Sequence, residues 1–302
     1  MKGGSVRAVA VPAFPSASEA RHEEGFVRSP DGVRLYWQRY RPPGEPRATV
    51  AVLHGGGDHS GRYPGVTAAL VRAGFEVAMV DFRGHGQSDG RRWHVDSFND
   101  YFADLDTFMA KVREESAGRR IFVVGHSQGG LIAAAWGLEA GRAVSGIALS
   151  SPYLKLAFEP PVVKKYASLM LGRLVPFLPI KVGLDVADLS ADPEMQRWTD
   201  QDPLYGRVTT PRWFTESTRM QESVRVRAPE FAYPLLVMVG SADRIADPAA
   251  ARAFHARAGT RDKQILEYEG FRHELFNEVG RDHPISDTVA WIAARAGAAH
   301  TI

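Results

Sequence analysis

The sequence predicts an α/β domain, with a mostly parallel central sheet flanked by helices and a helical cap inserted late in the chain. Three observations carry that prediction. Short runs of consecutive apolar residues alternate with segments of helical period, as expected of strands buried on both faces and joined by right-handed crossovers. One run, Ile121-Phe122-Val123-Val124, passes straight into Gly125-His126-Ser127-Gln128-Gly129 and then into an alanine-rich helical pattern from Leu131 to Glu139. The rhythm then stops at Pro152 and resumes only at Pro234.

The elements follow in order. Residues 1–21 read as a disordered leader, because their short apolar stretch is broken by Arg7 and Pro12 and makes a poor signal peptide. Val33 to Tyr40 alternates in polarity like an early antiparallel strand, and the proline-rich turn Pro42-Pro43-Gly44-Glu45-Pro46 follows. Thr49 to Leu53 is a buried strand leading into His54-Gly55-Gly56-Gly57. A helix from Pro64 to Ala73 closes at Gly74, and Phe75 to Val80 is the next strand, ending at Asp81.

Ser97 is expected to cap a long helix, with Asp100 favouring its N-terminus. That helix carries one apolar face, including Phe98, Tyr101, Leu105, Phe108 and Val112, which reads as core. Val144 to Leu149 is a further strand. Prolines at 152, 160, 161, 176, 179, 193, 203, 211 and 229 then punctuate helical patterns with no buried strand among them. A structureless loop of that length is uncommon, so residues 152–229 read as the cap. Pro234 to Gly240 restores the sheet, Asp247 caps a helix with Pro248 at its first position, Gln264 to Tyr268 is the last strand, and Pro284 to Ala296 is the closing helix. The core is thus expected over 22–151 and 230–302.

Composition narrows the function classes. The 302 residues are 44% apolar and 24% charged, as in an ordinary globular protein. Lys and Arg exceed Asp and Glu by 37 to 35 with no basic block, which gives no reason to expect a nucleic-acid partner. The absence of cysteine excludes disulfides and thiolate chemistry. No apolar run approaches the ~20 residues of a spanning helix, so a cytoplasmic protein is expected. His54, His59, His85 and His94 lack the spacing of a zinc motif, and no metal is expected.

The chemistry centres on Ser127. Gly125-x-Ser127-x-Gly129 between a buried strand and a helix is the setting of a nucleophile elbow, in which side chains two residues to either side would collide. A serine hydroxyl needs a base, itself oriented by a carboxylate, and in an open α/β sheet both come from loops after strands. His273 follows the last strand, and Gly270 lets its loop turn inward; His255, His283 and His300 are placed less well. Asp243 and Asp247 follow one strand. Asp247 has a sufficient task as a helix cap, so Asp243 is assigned as the orienting acid, with Glu274 and Asp262 as weaker rivals. An oxyanion needs two N–H donors. Gln128, after the nucleophile, is expected to supply one and Gly56 the other, with Gly55 or Gly57 as alternatives. His126 is expected to pack beside the elbow, and Asp81, Arg83 and His85 to brace it.

With these residues placed, the chain resembles the α/β-hydrolase superfamily, and within it the monoacylglycerol lipase and lysophospholipase-like branch, from about Gly25 to Ala293. The resemblance is carried by His54-Gly55-Gly56-Gly57-Asp58-His59-Ser60-Gly61-Arg62-Tyr63, by Asp81-Phe82-Arg83-Gly84-His85-Gly86-Gln87-Ser88 and by Gly125-His126-Ser127-Gln128-Gly129-Gly130. The segments around Asp243 and His273 match as well. Asp58 stands where that branch is expected to have Glu, which retains the carboxylate. The resemblance implies hydrolysis of glycerol-lipid esters through Ser127, Asp243 and His273 without a cofactor, and supports Gly56 and Gln128 as oxyanion donors. Monoacylglycerols are the expected substrates. A lysophospholipase, a short-chain carboxylesterase and, from another class, a non-catalytic lipid-binding member of the fold are the alternatives; an aminopeptidase-type relative is disfavoured. The apolar run Leu169 to Leu178 in the cap reads either as core packing or as an acyl-pocket wall that also makes transient contact with membrane surfaces.

Overall fold

The computed structural model describes residues 20–158 and 170–297. The first strands are β1 (Arg21–Arg28), β2 (Arg34–Arg41), β3 (Thr49–Leu53), β4 (Glu76–Val80), β5 (Ile121–His126) and β6 (Gly146–Ser150). A two-residue pair, β7 (Ile180–Lys181) and β8 (Val208–Thr209), stands apart, and β9 (Leu235–Gly240) and β10 (Lys263–Tyr268) complete the set. Eight of them form one sheet in the order β1-β2-β4-β3-β5-β6-β9-β10. The β1–β2 and β2–β4 pairs are antiparallel, and every pair from β4 to β10 is parallel.

Both faces of the sheet are covered, which explains the continuous apolar runs. Along β3 and β5, Val50, Val52, Phe122 and Val124 point to one core, whereas Ala51, Leu53, Ile121 and Val123 point to the other. Helix α1 (Pro64–Arg72) and the closing helix pack together over the first core. Over the second lie α2 (Asn99–Ser116) and α3 (Gln128–Gly137), with Trp136 fully buried between them and the sheet. Between β6 and β9 the chain leaves the sheet and forms α4 (Val186–Leu189), α5 (Pro193–Gln201) and α6 (Pro211–Arg227). It then returns through α7 (Pro248–Arg257) and ends in α8 (Asp282–Ala296). The inserted region is helical as expected, and the β7–β8 pair within it is not buried.

One local boundary is corrected. The leader expected over 1–21 lies outside the described residues except for its last two, and Arg21 already begins β1. No apolar run marks β1, because it is an edge strand held by polar cross-strand contacts: Tyr36 donates to Glu24 at 2.5 Å, and Arg39 pairs with Glu23. Ser97 caps α2 as expected, one residue ahead of Phe98, whose own backbone is already helical. Its Oγ accepts the N–H of Asn99 at 3.3 Å, and in return the Asp100 carboxylate accepts the N–H groups of Ser97 at 3.1 Å and Asp96 at 3.0 Å.

Asp247 does cap α7, accepting the N–H of Ala249 at 2.9 Å ahead of Pro248. Urea unfolding should therefore register both caps: Asp247→Ala is expected to cost about 1 kcal/mol, and Ser97→Ala, whose contact is longer, about 0.5 kcal/mol.

Candidate active site

A single residue, Ser127, separates β5 from α3. Its backbone has φ 51° and ψ −114°, a conformation that costs a non-glycine residue about 1–3 kcal/mol and persists only where the surroundings enforce it. They do so through three hydrogen bonds. Ser127 N–H donates to Ser150 O at 2.9 Å, and Ser127 O accepts from Leu131 and Tyr153, each at 3.0 Å. The two glycines are steric requirements. A Cβ on Gly125 would stand 2.5 Å from Gly129 O, and one on Gly129 would stand 2.4 Å from Leu53 O and 2.5 Å from His54 O.

Three loops at the carboxyl ends of β5, β9 and β10 bring Ser127, Asp243 and His273 together. His273 Nε2 lies 2.8 Å from Ser127 Oγ, and His273 Nδ1 lies 2.8 Å from Asp243 Oδ2. The other Asp243 oxygen accepts the N–H groups of Ile245 at 2.8 Å and Ala246 at 3.0 Å. Burial alone would push this carboxyl up, but His273 and the two N–H groups outweigh it and hold it below its ordinary value. For His273 burial opposes the charged form, and the carboxylates of Asp243, Glu274 and Asp58 overcome that, raising the imidazole above its ordinary value. The His126 ring packs 4.9 Å from that of His273, and burial together with this neighbour pushes it down to about 3, so it stays neutral.

The weaker rivals are engaged elsewhere. Glu274 faces Arg62 at 3.1 Å, and Asp262 pairs with Arg295 at the surface. His255 is in α7, His283 in α8, and His300 lies outside the described residues. Among the residues expected to brace the elbow, Asp81 accepts the N–H groups of Ser60 at 2.7 Å and Gln87 at 2.8 Å, and Arg83 pairs with Asp104 at 2.7 Å. They tie glycine loops to one another and to α2 rather than to Ser127. His54 Nε2 accepts Phe82 N–H, and His94 lies 2.8 Å from Thr210 Oγ1.

A cavity of about 440 Å³ opens over Ser127, with Gly55, Gly56 and Gln128 in its floor. Trp93 Nε1 donates to Gln128 Oε1 at 3.0 Å, and the same indole fills the space a Cβ on Gly56 would need, at 2.4 Å. Trp93 meets Trp213 edge-on at 5.0 Å, and Trp213 stacks on Tyr153. Leu156, Phe158, Val182, Leu184, Leu189 and Phe214 complete an apolar wall. No described residue of the run Leu169–Leu178 lines it. Leu169 lies outside the described residues, and Met170, Leu174, Val175, Phe177 and Leu178 are exposed, Leu174 by 72%.

The end of the cavity beside His273 is polar. Arg62, fully buried, lies 3.0 Å from Asp58, 3.1 Å from Glu274 and 3.9 Å from Asp202, and its guanidinium stacks over Trp198 at 4.6 Å. The inserted region is also clamped to the loop bearing His273. Glu278 accepts Ala191 N–H at 2.7 Å and Arg272 N–H at 3.1 Å, Leu189 O accepts Glu274 N–H at 2.8 Å, and Arg272 reaches the carbonyls of Ala187 and Ser190. Sequence reasoning missed Trp93, Trp213 and this polar cluster. Only the placement of Arg62 and Glu274 within the two glycine- and histidine-bearing loops could have hinted at them.

Fold and site together define a serine-hydrolase-type enzyme of the α/β-hydrolase fold. The model of the family described as serine aminopeptidase, S33 (Hydrolase_4), matches residues 44–280, and the chain belongs to that family. It is 30% identical over 278 residues to a monoacylglycerol lipase of Mycolicibacterium smegmatis, covering 92% of this chain and 99% of the relative. Phospholipase YtpA of Bacillus subtilis is 30% identical over 82% of this chain and 93% of its own. Among solved structures, the Paleococcus ferrophilus monoacylglycerol lipase superposes with a TM-score of 0.79 at 30% identity, over 86% of this chain and 99% of that one.

The backbone contact at Gly129 gives a direct test of the elbow. Gly129→Ala is expected to destabilise the fold by about 1–3 kcal/mol through forced backbone displacement, read as a lowered thermal midpoint.

Proposed function

We propose that the protein hydrolyses monoacylglycerols to fatty acid and glycerol through an acyl-enzyme. The observation that carries this reading is an apolar cavity that ends at Ser127 Oγ on one side and in a polar pocket beside His273 on the other. An acyl chain fits the apolar wall, and a polyol head group fits the polar end. The relatives named as monoacylglycerol lipases support the same substrate class. An aminopeptidase reading is weaker, since it would need a carboxylate for the substrate ammonium on the acyl side, and Asp188 there pairs with Arg244 at 3.6 Å.

The steps follow from the proposed roles. His273 Nε2 takes the Ser127 proton as Oγ attacks the ester carbonyl. Asp243 holds Nδ1–H and stabilises the imidazolium, while the N–H groups of Gly56 and Gln128 receive the oxyanion. Collapse breaks the ester bond as His273 gives its proton to the departing glycerol oxygen. Water, deprotonated by His273, then attacks the acyl-enzyme, and Ser127 leaves with that proton. No step calls on a cofactor. Among the described residues no helix is long and apolar enough to cross a membrane. The exposed side chains of Met170, Leu174, Val175, Phe177 and Leu178 would let a cytoplasmic protein touch a membrane surface transiently to collect its substrate.

Ser127→Ala should lower kcat by at least about 10⁴-fold with an unchanged thermal midpoint. In a chain-length series of 1-monoacylglycerols beside a short p-nitrophenyl ester, an optimum on medium or long chains supports the reading, and turnover of the short ester alone removes the lipid substrate. The base acts unprotonated, so kcat/KM should fall as pH drops through the raised value of His273. The midpoint of that acidic limb is expected above 6.5, the ordinary histidine value.

A further inference from the structure

We propose that Glu274 makes the leaving-group end of the cavity select by charge, admitting esters of neutral polyols and rejecting esters whose head group carries net negative charge. This rests on the ester-hydrolase reading above and adds a specificity determinant to it. Glu274 directly follows His273, and both line the cavity. His273 Nε2 must reach the departing oxygen, so whatever is attached to that oxygen lies against the same wall.

The charges at this end do not balance. Asp58, Asp202 and Glu274 converge on one guanidinium, that of Arg62. Each carboxylate accepts and none donates. Asp58 receives Tyr63 OH at 2.6 Å and His59 N–H at 2.8 Å, Asp202 receives Leu204 N–H at 2.9 Å, and Glu274 receives Asn277 Nδ2 at 2.9 Å. His59 does not make up the deficit. Its Nε2 lies 2.8 Å from Asp202, and although burial opposes the charged ring, Asp202, Asp58 and Asp81 raise it above its ordinary value, so it supplies at most one positive charge. Even with His59 protonated, three carboxylates would face two cations. Among the described residues lining the cavity, Arg244 is the sole arginine or lysine, and it is exposed and paired with Asp188. Arg62 is therefore committed, and an incoming phosphate would meet uncompensated negative charge in a buried setting, where screening is weak. A hydroxyl fares differently. Glu274 Oε1 meets Arg62 only at 3.4 Å and has acceptor capacity for a glycerol O–H.

The test uses the full-length protein and two substrate pairs with a common acyl group. Phenyl butanoate and 4-butanoyloxybenzoate differ in leaving-group charge; 1-monoacylglycerol and lysophosphatidic acid of one chain length differ likewise. The wild type is expected to favour the neutral member of each pair by at least about tenfold in kcat/KM. Glu274→Gln should shrink that preference severalfold, through KM for the anionic members. The carboxylates facing His273 are Asp243, Asp58 and Glu274, with neutral His126 beside them, so the same variant should move the acidic limb of the pH profile downward. Equal turnover of the two butanoates by the wild type overturns the proposal, even if monoacylglycerols are cleaved. Discrimination between the butanoates without any turnover of monoacylglycerol leaves charge selection standing and removes the lipid reading. A Glu274→Gln variant that folds, judged by its thermal unfolding, and keeps the full preference overturns the proposal as well; if that variant does not fold, Glu274→Ala is the neutral replacement on which the same ratios are read.

Discussion

Between β5 and α3 the chain changes direction within one residue, and the contact that makes this achievable is backbone against backbone. Gly129 lies so close to the carbonyls of Leu53 and His54 that no side chain fits. That contact fixes α3 against the end of β3, and so fixes the glycine loop after β3 against the turn: a Cβ on Gly55 would stand 3.3 Å from Ser127 Cβ. Trp93 then has a defined slot between Gly56 and Gln128, and Trp213 and Tyr153 build outward from it. The floor and first wall of the cavity thus follow from one steric exclusion.

Buried charge does a second kind of specifying. Arg83 bridges Asp104 and Asp31, joining α2 to the β1–β2 turn, and Glu76 accepts from Arg41 at the far end of the sheet. Desolvating such pairs costs about as much as their attraction returns, so they add little net stability, while the loss of one partner is expensive. Their effect is to disfavour alternative arrangements of the loops they join. The Arg62 cluster is the largest of these groups, and it links the glycine loop, the inserted region and the loop of His273.

What was legible in the sequence follows from how locally each feature is encoded. Strands β3, β4 and β5 are apolar on both faces and stand out as unbroken runs, whereas the edge strand β1 is built from Arg21, Glu23, Glu24 and Arg28 and has no such signature. Asp247 with Pro248 is a cap written in adjacent residues. Ser97 with Asp100 three residues on is likewise written locally, and the two exchange cap contacts at the start of α2. The juxtaposition of Ser127, Asp243 and His273 follows from strand ends, which the apolar runs mark. Of the partners of Arg62 only Asp58 lies within a short window of it; Asp202 and Glu274 come from two distant segments that nothing local announces. The run from Met170 to Leu178 joins neither the core nor the cavity wall, because apolar content alone does not say which neighbour covers it.

The clamps between residues 187–192 and the loop of His273 bear on how this architecture could be shortened. Glu278, Arg272 and the backbone of Glu274 spend their hydrogen bonds on the inserted region, so that region is a buttress of the site as well as its roof. Excising it to expose Ser127 would strip the buried Glu278 carboxylate of one of its donors and the Arg272 guanidinium of the carbonyls of Ala187 and Ser190, beside the imidazole. Any shortening that preserves the site must leave residues 187–192 in place, and with them the support of the His273 loop.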